Sequence, residues 1–128
     1  MEDSTVKGKL LYPPSINKYY LNRTIRSRTG KIVKPRLPAV QKYVTDCLLL
    51  LKMQKINSID AEKLQVELFI YPPDKKRRDL DNVCKVILDT LQRAGVYTDD
   101  YKIWKLTISR KEVRQYGEVE FFITSIEG

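Results

Sequence analysis

The sequence predicts an α+β domain, with two helices packed on a small mixed, mostly antiparallel sheet. Two observations lead there. Two segments repeat apolar residues at helical spacing, and four more run or alternate over strand length. Along the chain these read strand, long loop, helix, strand, helix, strand, strand, an order that fits helices laid against one sheet. With 128 residues, 42% of them hydrophobic, the chain suits one domain with its own core, covering residues 1–128.

Taken in order, residues 6–12 (VKGKLLY) form a strand stopped by Pro13-Pro14, because proline lacks the N–H that a ladder needs. Residues 17–38 are polar, carry Lys18, Arg23, Arg26, Arg28, Lys31, Lys34 and Arg36, and are broken by Gly30 and Pro35, so a long basic loop is expected. Residues 37–55 form a helix, with Val40, Tyr43, Val44, Cys47, Leu48 and Leu51 at helical spacing. Residues 64–71 (LQVELFIY) form a second strand, ended by Pro72-Pro73. A second helix runs over residues 80–94 on a stripe of Leu80, Cys84, Ile87, Leu88 and Leu91, and Gly95 closes it. Residues 103–111 and 118–125 alternate on either side of Tyr116-Gly117, which predicts a closing hairpin. Trp104 is expected in the core. The apolar run from Leu48 to Leu51 exceeds one helical stripe and suits either ordinary core or a subunit interface.

Composition excludes whole classes of chemistry. Lys+Arg number 24 against 16 Asp+Glu, a net charge of +8, which points to a polyanionic partner and first to nucleic acid. The chain has no histidine, so Ser-His-Asp and Cys-His nucleophile systems, His-metal nucleases and nearly all catalytic zinc sites are out. Cys47 and Cys84 are too few for a zinc finger or a disulfide framework and read as small buried residues of a reducing compartment. The longest apolar run, Cys47 to Leu51, falls far short of the ~20 residues of a membrane helix. The N-terminus, MEDSTVKGK, does not read as a secretory signal. A cytoplasmic protein with no membrane association is expected.

The chemistry concentrates in residues 75–85, KKRRDLDNVCK. Four consecutive cations precede Asp79 and Asp81 at a strand-to-helix junction, and Lys85 follows Asp81 at i+4 on the same helix face. Asp99-Asp100 lie in a turn beyond Gly95, and if that turn folds back, one of them joins Asp79 and Asp81. Carboxylates packed together repel unless a cation neutralises them. Hard oxygen ligands select Mg²⁺, with Mn²⁺ as its expected substitute. Such an ion activates water and offsets charge on the leaving oxygen of a phosphodiester. Each piece also has a plainer reading. Asp79 or Asp81 alone is an N-cap, Asp81–Lys85 an exposed ion pair, Asp99-Asp100 a turn, and KKRR a generic phosphate-binding patch. Asp89, at i+4 from Lys85, is read as a helix-face partner. A looser pattern, Asp74 with Asp100 and Lys102, gives a rival nuclease site. A calcium loop starting at Asp79 fails, with Cys84 at its sixth position and Thr90 at its twelfth.

Pro13-Pro14-Ser15-Ile16-Asn17-Lys18-Tyr19-Tyr20, then Pro73-Asp74-Lys75-Lys76-Arg77-Arg78-Asp79-Leu80-Asp81-Asn82, then Lys85, Leu91, Ala94-Gly95 and Asp99-Asp100, together resemble the RusA family of Holliday-junction resolvases. The likeness runs in order and spacing from about Leu10 to Glu127. It implies a Mg²⁺-dependent, homodimeric endonuclease that resolves four-way DNA junctions, of a kind often encoded by phages or prophages. Carried over by position, it makes Asp79, Asp81 and Asp100 the catalytic and metal-binding carboxylates and Lys85 the essential lysine, with a supporting role for Asp99. The basic sequence after PPSINKYY departs from the family, as do a few extra N-terminal residues, and neither touches the acidic set. A two-fold dimer suits paired symmetric nicks, because it presents identical sites to symmetry-related strands. Lys75, Lys76, Arg77 and Arg78 are expected on DNA phosphates, with Asn17, Lys18, Tyr19, Tyr20, Arg23, Arg26 and Arg28 as further DNA contacts from the basic loop. The alternative is a basic DNA-binding protein without catalysis, and a partner-binding module indifferent to DNA is a more distant one.

Overall fold

A computed structural model describes residues 5–14, 25–26, 32–33 and 38–126. It contains β1 (Thr5–Leu10), β2 (Ile25–Arg26), β3 (Ile32–Val33), α1 (Pro38–Met53), β4 (Leu64–Tyr71), α2 (Leu80–Arg93), a 3₁₀ turn at Asp100–Lys102, β5 (Ile103–Arg110) and β6 (Glu118–Ser125). β2 and β3 form a small antiparallel pair of their own. The main sheet has the order β1-β6-β4-β5. Its β1–β6 and β6–β4 pairs are antiparallel, and its β4–β5 pair is parallel.

Period-2 patterning builds the core. Val6 and Leu10 of β1, Leu64, Val66, Leu68 and Ile70 of β4, and Val119, Phe121 and Ile123 of β6 are buried together. Both helices lie over them. From α1 come Val40, Tyr43, Val44, Cys47 and Leu51, and from α2 come Val83, Cys84, Val86, Ile87, Thr90 and Leu91. Leu80 and Leu88, expected on the α2 stripe, are partly buried at its margin. Cys47 and Cys84 are free and buried. The 48–51 run divides, with Leu51 in the core and Leu49 60% exposed.

Both helices end in the same local motif. After α2, Gly95 takes φ 77°, its N–H bonds the carbonyl of Gln92, and the Val96 N–H reaches Leu91. After α1, Lys55 takes φ 57°, its N–H bonds Lys52, and the Ile56 N–H reaches Leu51. The two exits are tied together, since the Ile59 N–H donates to the Val96 carbonyl and the Ser58 hydroxyl to the Gly95 carbonyl.

The expected hairpin of the last two strands does not form. β5 pairs in parallel with β4 after the α2 crossover, and β6 returns on the other side of β4. Side-chain chemistry explains the choice. β6 offers three fully buried residues and suits the sheet interior, whereas most of β5 is exposed and suits an edge. Tyr116 and Gly117 do turn tightly, with φ 68° and 72°. Their turn seats against the start of the site instead, because a Cβ on Gly117 would lie 2.7 Å from Tyr12. Trp104 likewise departs from expectation. It stands on the β5 edge, 65% exposed, with the Lys63 ammonium 4.5 Å above its ring.

Candidate active site

The segment between β4 and α2 carries the basic run and opens into the first acidic residues. Pro72-Pro73 end the strand, and Asp74 then organises the loop. The Asp74 carboxylate accepts two hydrogen bonds from the Arg78 guanidinium, at 2.6 and 3.1 Å, and a third from the Lys76 backbone N–H at 2.9 Å. The Arg78 hydrogen bond, reinforced by that of Lys76, lowers the Asp74 pKa to about 2. Arg78 also lies 5.6 Å from the centre of the Tyr12 ring, and Arg110 donates to the Arg78 carbonyl. Arg78 is therefore the fastener of the loop, only 17% exposed along its side chain, while Lys75, Lys76 and Arg77 stand exposed. A cleft of about 390 Å³ opens here, lined among others by Tyr12, Asp74, Lys76, Asp79, Val83 and Arg110.

Asp79 occupies the N-cap position of α2 with extended backbone (φ −88°, ψ 134°), yet its side chain makes no capping hydrogen bond. Asp81 follows in the first turn and is exposed. Lys85, one turn later, is exposed as well. Asp100 arrives from the far end of the crossover, as the first residue of the 3₁₀ turn that packs on α2. Asp99 caps that turn, accepting from the Tyr101 N–H at 3.2 Å. The Tyr97 hydroxyl lies 2.7 Å from Asp100 Oδ1 and 2.9 Å from the Leu88 carbonyl of α2.

Cys84 is buried on α2 between the positions of Asp81 and Lys85. Its thiol is pushed up to about 11, first by burial and then by the negative charges of Asp100 and Asp81. It stays protonated at neutral pH and offers no thiolate to a soft metal. The ionisable donors at this surface are carboxylate oxygens, a set that fits a hard cation such as Mg²⁺. Asp81 lies in the first turn of α2, Asp79 holds its N-cap position, and Asp100 is held against the same helix through Tyr97 and the Leu88 carbonyl. Among the described residues, no three His, Cys, Asp or Glu side chains stand close enough together to hold one metal ion.

Asn17, Lys18, Tyr19, Tyr20, Arg23 and Arg28 lie outside the described residues, and Arg26 is described only as backbone in β2. The rival assignment loses support, because the Asp74 oxygens are engaged by Arg78 and Lys76. Lys102, its lysine, lies 4.0 Å from Asp60. Sequence reasoning passed over Tyr12, Tyr97 and Arg110. An aromatic residue directly before Pro13-Pro14 and another shortly before Asp99-Asp100 were the available signals.

Comparison with known proteins gives a consistent picture. The family model described as Endodeoxyribonuclease RusA matches residues 12–124. A crossover junction endodeoxyribonuclease from Enterobacteria phage HK97 is 31% identical over 121 residues, covering 92% of each chain. The one from Escherichia coli (strain K12) is 30% identical over 123 residues, covering 96% of this chain and 97% of its own. That of Enterobacteria phage 82 is 30% identical over 117 residues, with 91% and 92% covered.

Proposed function

The chain belongs to the Endodeoxyribonuclease RusA family, and on that premise we propose that it is a Mg²⁺-dependent endodeoxyribonuclease that resolves four-way (Holliday) DNA junctions by paired symmetric nicks. The observation that carries this reading is the placement around one helix of Asp79 at its N-cap, exposed Asp81 and Lys85 along it and exposed Asp100 on the 3₁₀ turn packed against it, directly behind a loop that exposes Lys75, Lys76 and Arg77.

Asp79, Asp81 and Asp100, which stand apart without an ion, would close around the cation, Mg²⁺ or in its place Mn²⁺. When bound, it supplies positive charge for the phosphate and a more acidic water for attack. Lys85 adds positive charge where negative charge gathers on the phosphate. Lys75, Lys76 and Arg77 grip the DNA backbone, and Arg78 keeps their loop in shape through Asp74. Asn17, Lys18, Tyr19, Tyr20, Arg23, Arg26 and Arg28 extend the contact along the junction arms. A homodimer presents two such sites to symmetry-related strands. No helix among the described residues is long and apolar enough to cross a membrane, and a cytoplasmic enzyme acting on recombining DNA, in a phage or prophage setting, is the matching context.

The test is incubation of end-labelled four-way junction with the protein in Mg²⁺, and in parallel with EDTA. Paired nicks at symmetric positions, lost with EDTA, are expected. A protein that shifts the junction on a gel and never nicks it is a binding protein, and the reading falls.

A further inference from the structure

We propose that Tyr97 is a positioning residue for Asp100, its hydroxyl fastening that carboxylate to the backbone of α2 so that one oxygen is held and the other is left for a cation. The proposal rests on the reading of Asp100 as a metal ligand.

Asp100 sits on a 3₁₀ turn of three residues and is exposed. A turn that short gives its side chain little support, so left alone the carboxylate would sample several rotamers. Tyr97 removes that freedom. Its ring is 1% exposed, within the core cluster that also contains Ile87 and Leu91. Its hydroxyl stands 2.7 Å from Asp100 Oδ1 and 2.9 Å from the Leu88 carbonyl. A phenolic hydroxyl carries one proton, and the ionised acceptor is the stronger of the two. A phenolic hydroxyl is protonated at neutral pH, so the group is a donor there. Among the described residues, Asp100 Oδ2 accepts no hydrogen bond. The anchor is on α2, the helix that carries Asp81 and Lys85, and one hydroxyl thereby fixes the register between the acid from the turn and those from the helix.

Tyr97→Phe keeps the ring and removes the contact. Hydrogen-bond partners of metal-bound groups typically change affinity or activity by 10- to 100-fold. Mn²⁺ binding to the protein without DNA, read from the electron paramagnetic resonance of free Mn²⁺, is expected to weaken by roughly that factor. The Mg²⁺ concentration for half-maximal junction cleavage should rise in parallel, while the rate at saturating Mg²⁺ falls much less. In the Tyr97→Phe/Asp100→Asn double variant, Mn²⁺ binding should be no weaker than in Asp100→Asn alone, because the hydroxyl acts through that carboxylate. Thermal melts confirm that each variant is folded. Tyr97→Phe with unchanged Mn²⁺ affinity, beside an Asp100→Asn that has lost it, overturns the proposal and leaves the function intact. Additive losses in the double variant overturn it too. An Asp100→Asn protein that binds Mn²⁺ and cleaves like the parent removes the functional reading and this inference together.

Discussion

Asp74 and Asp79 belong to one loop and do different work. Asp74 is locked to Arg78 and Lys76, whereas Asp79 takes the helix N-cap position and leaves its carboxylate uncapped. Replacing Asp79, Asp81 or Asp100 by Asn is therefore expected to abolish junction cleavage with little loss of junction binding, measured by gel shift in Ca²⁺ and nicking in Mg²⁺. Lys85→Ala should lose cleavage as well, and normal turnover would make it a surface charge only. For Asp74 the expectation concerns stability. Its pKa is lowered to about 2, mainly by the Arg78 hydrogen bond, so the folded state gains from its ionisation above the unfolded value of ~3.9 and loses that gain as pH falls toward 2. The parent and Asp74→Asn should then differ in urea midpoint by a constant amount from pH 7 to 5 and converge between about pH 4 and 2. A gap as wide at pH 2 as at pH 7 would mean that the ionised Arg78 pairing is not its source. At this scale the acidic residues were legible because DxD, Lys85 and Asp99-Asp100 are local strings. The roles of Tyr97 and Arg78 were not, because each depends on a partner that only the folded chain supplies.

At the scale of elements, positive φ marks where helices must stop. Gly95 meets that demand at no steric cost, but Lys55 occupies the same position after α1 with φ 57°. A side chain in the left-handed region costs roughly 1–2 kcal/mol, and glycine loses about 0.5–1 kcal/mol more on folding than other residues, so Lys55→Gly should raise stability by about 0.5–1 kcal/mol in urea melts. A lower midpoint would show that Lys55 contributes contacts beyond its backbone. The helices and strands themselves were readable from period alone, as with Val40, Tyr43, Val44 and Cys47 on α1 or Leu64, Val66 and Leu68 on β4. Their pairing was not. Tyr116-Gly117 carries a hairpin signal and does turn, yet β6 pairs with one edge of β4 while the α2 crossover puts β5 on the other. A local turn signal carries no information about a neighbour that arrives through a crossover helix.

Over the whole molecule, the charge of +8 is not spread evenly with respect to the site. Lys75, Lys76 and Arg77 stand exposed directly before the acidic residues, while Arg78 is turned inward. Neutralising a phosphate releases condensed counterions, so the slope of log affinity against log salt concentration changes by about 0.9 for each contact on duplex DNA. Lys75→Ala, Lys76→Ala and Arg77→Ala should each flatten that slope by up to this amount, with cleavage of saturating junction within a few-fold of the parent. Arg78→Ala should behave otherwise. It frees Asp74, takes a cation from the face of Tyr12 and loosens the loop, so its effect should appear as a lower melting temperature and a weaker cleavage rate, with a smaller change of slope. Fluorescence anisotropy of labelled junction from low to moderate salt, beside melting curves of the four variants, separates the two behaviours. Equal slopes for the parent and all three exposed-cation variants would place the phosphate track elsewhere on the molecule, and a full slope change for Arg78→Ala with an unchanged melt would make Arg78 a DNA contact after all.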